Sequence, residues 1–185
     1  MADTKIRMQD PIKKLTPEQA FEVVMRLSEK GGRIREDVLA VVWKVLGKID
    51  FDETADAVFF VLESIDVQDC WDKAGGSRDG YTSPDEAALE LIEEALRPFL
   101  DQVGRYHELG MSKEEAAISM GVILGLYRYE HESKSEFRAW SVDIPIESAG
   151  DLLGKWRKRG QESASIKAME QFIQERCPNW AGYFL

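Results

Sequence analysis

The chain has 185 residues, 44% hydrophobic and 31% charged, with six prolines and 14 glycines. That balance fits one well-filled core and excludes a disordered tail, a collagen-like fibre and a low-complexity linker. Twenty-four Lys/Arg against 34 Asp/Glu leave a net charge of −10, the wrong sign for coating nucleic acid, and two cysteines exclude a disulfide scaffold or a four-cysteine zinc ribbon.

The first eleven residues, Met1 to Pro11, carry no apolar core of a secretory signal, and Asp3 and Asp10 oppose an organelle transit peptide. No apolar run approaches the ~20 residues that span a bilayer. The expectation is a cytoplasmic protein with reduced thiols, off the membrane. Residues 1–14 are polar and aperiodic, a flexible N-terminal arm, and 15–185 read as one helical domain.

Thr16-Pro17-Glu18-Gln19 is a strong helix start. The Thr16 hydroxyl can take a free first-turn amide, Pro17 has no amide to strand, and Gln19 completes a capping box. Ala20, Val23, Val24 and Leu27 follow at helical spacing, and Gly31-Gly32 stops the helix. In 33–49, Val38, Leu39, Val41, Val42, Val45, Leu46 and Ile49 cover most of a helix circumference, which predicts a central buried helix. That run and Ala57–Leu62 are also valine- and phenylalanine-rich enough for strands, but neither has hairpin turn chemistry beside it. Asp52-Glu53-Thr54-Ala55 instead has the carboxylates of a helix N-terminus.

Residues 70–82 hold three glycines and read as a loop. Ser83-Pro84-Asp85-Glu86 repeats the start signal of residue 16, and Pro98 is expected to kink or divide the helix that follows. Another helix carries Ala116 to Tyr127, and two shorter ones cover roughly 147–159 and 162–176. The apolar tail 179–185 can dock back onto the body.

Four constellations could carry chemistry. The segment Gly75 to Glu86 resembles the later part of an EF-hand calcium loop, with Asp79 and Glu86 as carboxylate ligands, Gly80 at the sharp turn, Tyr81 giving a carbonyl and Ser77 a further oxygen. It departs from that family at Gly75, where a carboxylate is required, and at Thr82, the usual hydrophobic position. An Asp-Gly turn running into a helix cap accounts for the same residues.

Glu63, Asp66, Asp69 and Asp72 recur every third residue, which on one helix stacks four carboxylates for Mg²⁺ or Mn²⁺. The alternative is a solvated acidic face, since 50–72 holds eight acids and no Lys or Arg. Lys155-Trp156-Arg157-Lys158-Arg159 is the one basic cluster, suited to an acidic partner with Trp156 inserting, or to the negative end of its own helix. Ala117, Gly121 and Gly125 line one helix face with small residues, a seam for a homodimer or for a tight crossing within the chain. His107 and His131 have no ligand partners at metal spacing.

The sequence therefore predicts an all-α single domain, an irregular bundle of six or seven helices packed around Val38–Ile49, Ala57–Leu62 and Ala116–Tyr127. Charge segregation and the aromatics Trp140, Trp156 and Trp180, read as exposed, favour a non-catalytic protein-interaction or regulatory module with a protein partner, a second copy being one option. No cofactor is required, Ca²⁺ or Mg²⁺ being the ions the acidic segments would take. The rivals are a divalent-metal-dependent enzyme using acids of 63–72 and 86–94, Glu90 and Glu93 included, and an acidic nucleic-acid mimic.

Overall fold

The computed structural model describes residues 11–77 and 80–185, with the backbone alone for 76, 77 and 80. The chain divides into two compact units, 1–48 and 49–185. It is an α protein, with nine α-helices among the described residues rather than six or seven. No helix among them is long and apolar enough to cross a membrane.

The described part of the first unit is a helix pair. A 3-10 turn at Pro11–Lys14 precedes α1 (Pro17–Glu29), which starts at the Thr16/Gln19 capping box read from the sequence. Gly31, at φ 68°, turns the chain into α2 (Gly32–Leu46). The two helices pack on each other, and Leu27, Val38, Val42 and Leu46 are half-buried. No residue of either helix is fully buried. The expected central position of Val38–Ile49 is therefore corrected.

The second unit holds the core. Asp50 caps α3 (Phe51–Glu63), accepting from the amides of Asp52 (2.9 Å) and Glu53 (3.4 Å). Ala55, Val58 and Leu62, at helical spacing, are fully buried. Residues 70–82 are not one loop: α4 (Val67–Lys73) ends there, and β1 (Gly75–Ser77) pairs antiparallel with β2 (Gly80–Thr82) as a small hairpin. The Ser83/Glu86 capping box then opens α5 (Pro84–Glu108). Pro98 does not divide α5. It removes one intrahelical hydrogen bond, and burial of Leu96 on one side and Val103 on the other holds the helix continuous.

The central element is α6 (Ser112–Glu132). Every residue from Gly121 to Leu126 is buried, because α3, α5, α7 and α8 all pack on this helix. Each Leu, Ile or Val so enclosed contributes about 1.5–3 kcal/mol. Three more helices complete the unit: α7 (Ile144–Lys158), α8 (Ser163–Arg176) and α9 (Pro178–Phe184). The tail docks through Trp180, which is fully buried.

Candidate functional site

The basic cluster dissolves into structural roles. Its five residues end α7, and Trp156 points into the core, fully buried, its indole N–H without a hydrogen-bond partner among the described residues. Arg159 donates from Nη1 to Oε1 of the buried Glu115 at 2.8 Å. Arg157 donates to the backbone carbonyl of Phe184 at 3.0 Å and so ties α9 to α7. Only Lys155 and Lys158 keep exposed side chains with no partner role in packing. A cation-rich final turn is also favoured by the helix dipole.

The carboxylates do not form a ladder. Ser64 ends α3 by donating its hydroxyl to the Phe60 carbonyl, and Asp66 caps α4 with Asp69 as its capping-box partner. The chain therefore turns between Glu63 and Asp69. Glu63 accepts from Ser133 Oγ and from the Lys134 amide, and Asp72 accepts from Gln68 Nε2 at 2.7 Å. Glu86 is spent on the Ser83 capping box, and its hydrogen bonds with the Ser83 backbone and hydroxyl hold its carboxyl below the ordinary range. Asp79, with the tip of the EF-hand-like segment, lies outside the described residues. Glu90 and Glu94 share Lys73, whose Nζ sits 3.3 and 2.8 Å from them. The Glu94 hydrogen bond raises the Lys73 ammonium pKa and lowers that of Glu94. Among the described residues no three His, Cys, Asp or Glu side chains converge as a metal site.

The small-residue stripe is occupied inside the chain. Gly121 lies against Thr54 and the Phe51 carbonyl, and Gly125 against Val58 and the Ala55 carbonyl, so α3 crosses α6 at backbone contact there. The homodimer seam is corrected to an intramolecular crossing. Ala117 is half-buried one turn earlier.

Both thiols are buried. Burial pushes Cys177 up to about 12, and burial followed by the charge of Asp85 raises Cys70, whose Sγ donates to the Pro84 carbonyl at 3.3 Å. Neither presents a nucleophilic thiolate. Thiol titration of native protein at pH 8 should show both cysteines protected, with two equivalents reacting on denaturation. Because the folded thiol of Cys177 stays protonated above the range where an unfolded one ionises, its contribution to stability is full below about pH 9 and declines between there and about pH 12. Rapid labelling of native Cys177 would contradict this placement.

What the structure leaves presented to solvent is the surface of α1 and α2. Phe21 is 68% exposed, Val41 62% and Trp43 45%, and Val23, Val24, Met25, Ile34, Leu39 and Val45 are exposed as well. The apolar residues of α1 and α2 lie on more than one face, and only Leu27, Val38, Val42 and Leu46 among the larger ones are half-buried. Eight Lys/Arg against five Asp/Glu give residues 11–48 a charge of +3, whereas residues 49–185, with 14 against 27, carry −13. That excess comes from Lys13, Lys14, Lys30 and Lys48, outside the helices; within α1 and α2, Arg26, Arg33, Arg35 and Lys44 are matched by Glu18, Glu22, Glu29, Glu36 and Asp37.

No known protein family matches this chain. No curated protein and no solved structure matches it either.

The sequence signal for this surface was already in 33–49. An apolar circumference with Lys or Arg at 33, 35, 44 and 48 describes a two-sided docking helix as well as a buried one. Trp140 is half-buried, its ring 4.9 Å edge-on to the exposed Trp71, while Trp156 and Trp180, read as exposed, are core residues.

Proposed function

We propose that the protein is a non-catalytic interaction module whose α1–α2 helix pair docks onto another protein. One observation carries the reading: of the nineteen large hydrophobic residues exposed among the described residues, nine lie on these two helices, and neither helix buries a single residue. Burial of such a surface would supply the hydrophobic core of an interface, with Phe21 and Trp43 as aromatic anchors. The charges of both signs around it suit a partner that presents an apolar face with a mixed charged border, which sets the register of docking.

The test is co-isolation of the tagged full chain from its native cells. Phe21→Glu with Trp43→Glu should remove a stoichiometric partner while helical content by circular dichroism is unchanged. Tyr183→Glu, an equally exposed aromatic on the other unit, should leave that partner bound. A partner retained by the α1–α2 double variant, or none captured by the wild-type chain, overturns the proposal.

A further inference from the structure

We propose that a hollow of about 720 Å³ in the second unit, formed between the C-terminal end of α6, the start of α7 and α9, is a binding site for an organic polycation carrying spaced alkylammonium groups. The proposal is independent of α1–α2. The hollow is lined by Glu130, Arg138, Asp143, Glu147, Trp180 and Tyr183 among others, three carboxylates to one cation. Its size falls within the range of organic-ligand sites.

The floor is rigid. Trp180 donates from Nε1 to both oxygens of Glu130, at 3.3 and 3.2 Å, which fixes that carboxylate at the base. Arg138 donates from Nε to the Glu130 carbonyl at 2.5 Å, holding the α6 end against the following segment. Behind Trp180, the Tyr127 ring meets it edge-on at 5.2 Å and stacks on His131 at 4.2 Å. Phe184 meets Trp180 edge-on from the other side at 5.8 Å. At the rim Tyr183 is exposed and its ring is available to an incoming group.

The carboxylates attract a cation through charge, and the exposed Tyr183 ring at the rim adds its quadrupole. The acids do not converge tightly enough for a metal ion, since no three potential metal-ligating side chains cluster among the described residues. Separated carboxylates around an organic-sized hollow instead match a ligand whose positive charges are separated by methylene chains. The −13 charge of residues 49–185 raises the local concentration of such cations.

Isothermal titration of the full chain with spermidine, and separately with an acetylated tri-lysine peptide, tests the site. Saturable one-to-one binding of spermidine assigns a free polyamine, and binding of the peptide alone assigns lysine side chains of a polypeptide. Glu130→Gln with Glu147→Gln should weaken either by roughly tenfold or more, the loss expected when charge-assisted hydrogen bonds are removed. Glu108→Gln, which removes a charge outside the hollow, should leave the affinity unchanged. Absence of binding by both probes overturns the proposal. So does an equal loss in Glu108→Gln, or displacement of either probe by equimolar Mg²⁺, because each marks diffuse attraction to an acidic surface.

Discussion

Gly121→Ala and Gly125→Ala should each lower the unfolding free energy measured by urea titration, by about 1–3 kcal/mol after the gain in helix propensity is subtracted. A Cβ at Gly121 would lie 2.5 Å from Thr54 Cβ and 2.8 Å from the Phe51 carbonyl oxygen. At Gly125 it would lie 2.6 Å from Val58 Cβ and 2.8 Å from the Ala55 carbonyl oxygen. Backbone carbonyls cannot swing aside as a flexible side chain can, so α3 must move as a body. For that reason the double variant should cost less than the sum of the two: once α3 has been displaced, the second methyl enters space already opened. Gly154→Ala in α7 is the control, since a Cβ there meets nothing within 4 Å and should stabilise by up to about 1 kcal/mol. Strict additivity, or a neutral Gly121→Ala, would contradict the close crossing.

Arg159→Met should be the most damaging of the charge substitutions, costing about 3–5 kcal/mol. It strips the 2.8 Å partner from Glu115, whose side chain is 2% exposed, and leaves a carboxylate in the interior with only His107 Nδ1, 3.4 Å from its other oxygen, to answer it. Glu115 stands in the first turn of α6, where the helix dipole favours an anion but does not replace a guanidinium. Removing both partners, Glu115→Met with Arg159→Met, should recover most of the loss, because the penalty comes from the orphaned charge rather than from the missing pair. Unfolding titrations of the four proteins measure this directly, and a double variant no better than Arg159→Met alone would contradict it.

Local chemistry was legible in the sequence and tertiary pairing was not. The starts at Thr16 and Ser83 were readable because a capping box needs only residues three apart. The spacing of Gly121 and Gly125 announced a close approach, yet nothing in it named Phe51, Thr54, Ala55 and Val58 of the same chain as the surface approached. The acidic row every third residue was misleading because Asp66 and Asp69 form a capping box of their own, a signal that breaks the helix between Glu63 and Asp69. Trp156 and Trp180 were misplaced because an indole's burial depends on which helices enclose it, and adjacent Lys, Arg and Asn residues do not report that. The hollow around Glu130 draws on residues from 130 to 184 across several elements, so no stretch of sequence carries its pattern. For α2, the apolar circumference was seen and its meaning reversed: α6 is the central helix of the 49–185 unit, and no valine of α2 is fully buried.

The most direct measurement replaces Trp43 with a photo-cross-linking phenylalanine analogue in the full chain and irradiates it in native cells, with Tyr183 replaced in parallel. The account predicts one discrete heterologous adduct from position 43, with the cross-linked partner segment rich in apolar residues, and a different pattern from position 183. Cross-links from position 43 confined to residues 49–185 of the same chain would show that this surface packs within the molecule, and the docking role would fall.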